Sequence, residues 1–215
     1  VMVGVGKGAQ NGVLIKNAEA LEKMNAIDTL IVDKTGTLTE GKPSVEKIGA
    51  VHHSSETEVL NYIVALNALS EHPLAEATLR YAEEKNITIS KAEDFNAVTG
   101  KGVTGSLEGK KVALGNKKMM EEASAKLDAV LEKEALSEQQ KGKTVSFLAV
   151  DNEVLGYVVI SDKIKATSKK AIQSLKEKGI SVIMLTGDNE DTARAVANEL
   201  DLTDFKAGML PQDKQ

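Results

Sequence analysis

The sequence predicts an α/β protein in which a parallel sheet, built from the two ends of the chain, is interrupted by an α+β insertion. Three observations point there. The apolar run Thr29-Leu30-Ile31-Val32 ends on Asp33 and a turn of glycine and small hydroxyl residues, as a parallel strand does at its carboxyl end. After Asp162 the pattern alternates strand and helix, the signature of a parallel sheet. The middle reads differently, with two helical patterns, short glycine-separated β-prone pieces and an alternating pair divided by Asp151-Asn152.

Taken in order, Asn17 can cap a short helix over 18–23. The strand that ends at Asp33 follows and is expected to be buried. Gly41-Lys42-Pro43 then breaks the pattern. Val59, Leu60, Ile63, Val64, Leu66 and Leu69 recur at helical spacing, and Pro73 sits where the first turn of a second helix begins. Strand-like pieces are expected over 95–98, 103–107 and 111–114. A long polar helix over 118–140 reads as a solvated amphipathic cover. Residues 144–150 and 154–160 read as a hairpin. A helix over 167–178 stops at Gly179, a strand covers 180–185, a helix covers 192–200, and a short strand lies near Phe205. The expected division is 1–43 and 161–215 for the parallel-sheet domain, with 44–160 inserted.

Composition excludes several classes of function. With 41% apolar and 27% charged residues among 215, the chain has the make-up of a globular protein. A net charge of −5 and only 3% aromatic residues leave no basic footprint or stacking platform for nucleic acid. There is no cysteine, so disulfides, thiolate metal sites and cysteine nucleophiles are excluded. No apolar run approaches the ~20 residues that cross a bilayer. His52-His53 invites a metal reading, but neighbours on a strand point to opposite faces and cannot easily share an ion.

The chemistry concentrates at Asp33-Lys34-Thr35-Gly36-Thr37-Leu38-Thr39. A carboxylate at a strand exit, beside a turn whose N–H groups can face a phosphate, can attack a phosphoryl group and become an aspartyl-phosphate. Phosphatases on such scaffolds usually carry a second aspartate two positions on. Thr35 stands there instead and cannot act as general acid or base near neutral pH, so an acyl-phosphate would persist. Thr186-Gly187-Asp188, just past the later strand, can lie beside Asp33 and donate to phosphate oxygens.

The seven-residue run resembles the phosphorylation motif of P-type ATPases, whose phosphorylation domain has the haloacid-dehalogenase-like fold. Thr186-Gly187-Asp188 and the Pro211-Gln212-Asp213-Lys214 run match that pattern, which implies Lys214 as a fixed positive charge against the transferring group. The resemblance implies ATP as substrate and Mg²⁺ as cofactor, with Asp33 and the backbone carbonyl of Thr35 as ligands. The family's later Gly-Asp-Gly-x-Asn-Asp segment, which supplies a further aspartate, is not in this sequence, so the Mg²⁺ site and self-phosphorylation are expected to be weakened.

Ser70-Glu71-His72-Pro73-Leu74 resembles the signature of heavy-metal pumps, which implies that His72 orients adenine. Gly100-Lys101-Gly102 and Gly115-Asn116 resemble two further nucleotide motifs of that branch. Two positions depart: Asn67 stands where a glutamate is common, and Lys117 where relatives can carry arginine. Asp162 and Lys165 resemble the family's Asp-x-x-Lys hinge. The segment from Asp94 to Gly102 looks most like the copper(I) subgroup, with zinc, cadmium or silver pumps, or a soluble phosphatase of the same fold, as alternatives. The resemblance further implies transmembrane and actuator domains of a longer membrane protein, a place on the cytoplasmic side of a membrane, and a metallochaperone as partner.

Overall fold

The computed structural model describes residues 2–51 and 53–209. Two sheets organise the chain. One is three-stranded and parallel, in the order β1 (Thr29–Asp33), β8 (Ser181–Leu185), β9 (Asp204–Lys206). The other is six-stranded and antiparallel, in the order β2 (Ser44–Ala50), β7 (Glu153–Ser161), β6 (Thr144–Val150), β5 (Lys110–Gly115), β4 (Gly102–Leu107), β3 (Glu93–Val98). The predicted α/β class with an α+β insertion is what the structure has.

Each sheet has its own core. One face of the six-stranded sheet packs against α3 (Glu56–Asn67) and α4 (Pro73–Glu84) around Val59, Ile63, Leu66, Leu148 and Val158. The opposite face is covered by α5 (Lys117–Glu122) and α6 (Ala129–Gln139) around Met119, Met120, Phe147 and Val159. The parallel sheet packs Val182 and Met184 against Ile172 of α7 (Ser168–Glu177) and Ala193, Val196 and Leu200 of α8 (Glu190–Leu200). Each fully buried aliphatic side chain in these cores contributes about 1.5–3 kcal/mol from removed apolar surface.

Local signals explain most boundaries. Asn17 accepts from the Glu19 N–H at 2.8 Å and starts α2 (Ala18–Met24). Ser55 and Asn189 cap α3 and α8 in the same way. Asp151 and Asn152 both take positive φ, as a two-residue hairpin turn needs. Gly179 takes φ 80° just past α7.

Four expectations change. Strand β1 is not fully buried: it lies at the edge of the described sheet, and Ile31 is 60% exposed. The single helix expected over 118–140 is two, because Ser124 adopts φ 55° and Asp128 then caps α6 by accepting from the Leu131 N–H. Nor is it merely a solvated cover, since Met119, Met120, Leu131 and Ala135 are buried. The N-terminal segment, where no element was expected before Asn17, forms α1 (Met2–Gln10). His53 falls in a turn beyond β2, not on a strand, and His52 lies outside the described residues.

Candidate active site

Parallel pairing of β1 with β8 sets Asp33 opposite Leu185, so Thr186, Gly187 and Asp188 leave the sheet at the same edge as Asp33. Asp33 is half-buried, neither sealed in the core nor fully open. After it the chain makes a wide turn over Lys34–Leu38, with Thr35 extended and Gly36 at φ 76°. A side chain at that φ would be strained, which accounts for the glycine.

Lys34 is the buried cation of the site. Its Nζ lies 2.7 Å from Asp188 Oδ2, and both side chains are largely shielded from water. The same oxygen accepts from Thr186 Oγ1 at 2.8 Å, and that hydroxyl accepts in turn from the Asp188 N–H. Thr186, only 2% exposed, is thus held by the turn it begins. The backbone beyond β9 laces onto it: Met209 N–H donates to Thr186 O, and Gly208 N–H donates to Asp188 O. The structure therefore brings Asp33, Lys34, Thr35, Thr186, Gly187 and Asp188 to one edge. Lys214 lies outside the described residues.

The sequence did not disclose what organises the turn. Thr39 is fully buried, and its Oγ1 accepts from the Gly36 N–H at 3.2 Å. That hydroxyl donates to Asp162 Oδ2 at 2.6 Å, with Lys34 O a second acceptor at 3.1 Å. Gly36 N–H is thus engaged by Thr39 and does not simply face outward. Asp162 Oδ1 also accepts from the N–H groups of Gly41 and Lys42, and Lys165 Nζ donates to Gly36 O at 2.6 Å. Asp162 and Lys165 consequently tie the two chain crossings between the sheets to the Asp33 turn.

The candidate nucleotide residues are placed by caps and strand pairing. His72 caps α4, its Nδ1 accepting from the Leu74 N–H at 3.2 Å. Although His72 is exposed, neighbouring atoms that displace water lower its pKa below the ordinary value, and the Asp188 carboxylate pulls it the other way. That charge links the two groups of residues. Glu71 is exposed. Asn67 is buried at the end of α3 and donates Nδ2 to Thr78 Oγ1 at 2.8 Å, leaving its amide oxygen as the atom able to accept.

Gly100-Lys101-Gly102 and Gly115-Asn116 meet in one joint. Asn116 Nδ2 donates to Gly100 O at 2.9 Å, and Asn116 N–H donates to Lys101 O. Gly102 and Gly115 pair directly across β4 and β5. A Cβ on Gly102 would lie 2.1 Å from Leu114 O, so the strands themselves require that glycine. Lys117 turns to Glu132, with Nζ 2.8 Å from Oε1, and does not join the joint through its charge. Among the described residues no group of three His, Cys, Asp or Glu side chains gathers as a metal site.

Comparison with known proteins fits this geometry. The chain is 46% identical, over its whole length, to a silver exporting P-type ATPase of Salmonella typhimurium and to a copper-exporting P-type ATPase of Legionella pneumophila. It spans only 26% and 29% of those relatives' lengths. Among solved structures it is similar to the catalytic domain of a CPx-ATPase studied for its conformational changes upon nucleotide binding (TM-score 0.72, 29% identity, 97% of this chain and 71% of that one). It is also similar to a zinc-transporting PIB-type ATPase in an E2.Pi state (TM-score 0.66, 34% identity, 100% of this chain and 34% of that one). The resemblance carried by the motifs thus extends over the whole chain. The family model for haloacid dehalogenase-like hydrolases matches residues 27–214, from the approach to β1 to Lys214, and the chain belongs to that family.

Proposed function

We propose that this chain is the nucleotide-binding and phosphorylation region of a copper(I)-transporting P-type ATPase, with Asp33 as the residue that takes the γ-phosphoryl group of ATP. One observation carries the reading: Asp33 leaves β1 opposite Leu185, beside the Lys34–Asp188 pair, largely shielded from water, and Thr186. Residues 1–43 and 161–215 then form the phosphorylation domain, and 44–160 the nucleotide-binding domain.

In this reading a carboxylate oxygen of Asp33 attacks the γ-phosphorus. The bond to the β–γ bridging oxygen breaks, and ADP leaves with that electron pair. Lys34 and Thr186, now on Asp188, are the donors placed to turn toward phosphate oxygens as negative charge spreads over them. With Thr35 in place of a second carboxylate, no side chain there deprotonates a water, so the acyl-phosphate lasts long enough to drive transport. The Asp33 carboxylate and the Thr35 carbonyl are hard oxygen donors of the kind Mg²⁺ takes, with phosphate and water completing the shell. Bound there, the ion would offset phosphate charge.

At the other end, His72 and the Asn67 amide oxygen would receive adenine. The joint of Gly100, Gly102, Gly115 and Asn116 would give the backbone close approach, with Glu71 and Lys117 at its rim. The parent protein would hold this region on the cytoplasmic side of a membrane, joined to transmembrane and actuator domains and supplied by a metallochaperone. Among the described residues no helix is long and apolar enough to cross a membrane. Copper is favoured by the 94–102 segment, and silver is the second reading because the Salmonella relative exports it.

The test is label transfer from γ-labelled ATP in the parent-length pump. The reading expects hydroxylamine-labile label on Asp33 that appears with metal and vanishes in Asp33→Asn. Label that persists in that variant, or rapid phosphatase turnover that ATP analogues fail to inhibit, overturns it.

A further inference from the structure

The turn between α6 and β6 touches the other half of the molecule. Thr192, fully buried in the first turn of α8, donates Oγ1 to Lys143 O at 2.8 Å. Next to it, Thr144 Oγ1 donates to Asp188 Oδ1 at 3.3 Å, on the carboxylate whose other oxygen holds Lys34 and Thr186. Gly142 fits closely against α8: a Cβ there would sit 3.3 Å from Val196 Cγ2 and 3.9 Å from Ala195 Cβ. Lys143 is itself fixed, its ammonium bridging Glu46 and Glu138. A hydroxyl, a carbonyl and a glycine from one sheet therefore engage a helix and a site carboxylate from the other.

We propose that the 142–144 corner is a latch that docks the inserted sheet onto α8 and Asp188, and that nucleotide must lift it to enter. This rests on the ATP reading above. In the docked arrangement both phosphate-facing donors, Lys34 and Thr186, are on Asp188, and Thr144 closes its remaining oxygen. His72 is near enough to feel that charge. A phosphate group that draws Lys34 and Thr186 off Asp188 would compete with the contact that Thr144 makes on the same carboxylate. The docked form then lowers apparent affinity by the fraction of molecules that occupy it.

The chain contains no cysteine, so an engineered disulfide can lock the latch cleanly. Gly142→Cys with Ala195→Cys places Cβ atoms 3.9 Å apart, within the ~3.5–4.5 Å that a disulfide spans. Gly142 has φ 78°, so thermal unfolding of the reduced double variant checks its fold, and Thr192→Val tests the latch without touching Gly142. The disulfide should form on mild oxidation. A fluorescent ATP analogue should bind roughly tenfold more weakly to the oxidised form and recover on reduction, while Thr192→Val tightens binding about two- to fivefold. A folded double variant that forms no disulfide overturns the proposal, as does an oxidised form that binds the analogue like the reduced one. If no form binds the analogue, the nucleotide reading fails by itself. Docking is then decided by oxidation rate: slower disulfide formation with Thr192→Val upholds the latch, and an equal rate overturns it.

Discussion

The parallel and antiparallel halves of this molecule hold their candidate residues by different means. At the parallel edge, Lys34 beyond β1 reaches the Asp188 carboxylate beyond β8, a convergence across two strands that no local structural need explains, while Thr186 braces the same carboxylate within its own turn. In the antiparallel half most candidates already have a local task. His72 caps a helix, Gly102 and Gly115 let two strands approach, and Asn116 closes a turn. A residue type is therefore stronger grounds for function at the parallel edge, because packing alone does not ask for it.

The sharpest break in that comparison is Asp33→Asn. It should abolish acyl-phosphate in the parent-length pump, read by label transfer, with thermal unfolding beside it to check the fold. Next comes Lys34→Met, which strands the largely shielded Asp188 carboxylate. It should cost about 3 kcal/mol and lower Tm by roughly 6–12 °C in a chain of this size. Lys34→Met with Asp188→Leu should be milder than Lys34→Met alone, and a double variant as unstable as the single would refute the buried-charge account. Gly102→Ala should cost about 2 kcal/mol through overpacking against Leu114 O, measured by urea unfolding. Lost nucleotide binding in that variant therefore says nothing about ligand contact unless stability is restored.

The smallest effect separates two roles of one side chain. His72→Ala removes the helix cap and should cost about 1 kcal/mol, whereas His72→Asn keeps a capping oxygen and should unfold near wild type. Both should lose affinity for an ATP analogue if the imidazole meets adenine. Acidity tests the same group. With its pKa below the ordinary histidine value, folded His72 binds fewer protons than unfolded His72. Its contribution is thus intact above the ordinary range and lost as pH falls through it. A pH titration of Tm should show wild type losing more than His72→Asn on acidification from neutrality.

Much of this was legible because it is local. Asp33-Lys34-Thr35-Gly36-Thr37 announces a strand exit and a turn, and Asn17, Pro73, Asp151-Asn152 and Gly179 announce caps and turns. Strand β2 was not legible, because a bulge between Val45 and Lys47 breaks its alternation and only Ile48 and Gly49 are buried. Helix α1 was hidden by its glycines, which lower helix propensity. The split between α5 and α6 could have been read from Asp128 followed by an apolar residue at capping distance. Partnerships such as Thr39 with Asp162, or Thr144 with Asp188, depend on distant segments meeting and leave no spacing to find.

Ser44 opens β2 and Ser161 closes β7, and the two residues pair across the sheet. The six-stranded unit thus enters and leaves through one doorway. Cutting there would free a module whose two ends already touch, with a gap in the remainder that a few residues could seal. The insertion can therefore be exchanged through that doorway, provided that the contacts of residues 142–144 with α8 and Asp188 are replaced.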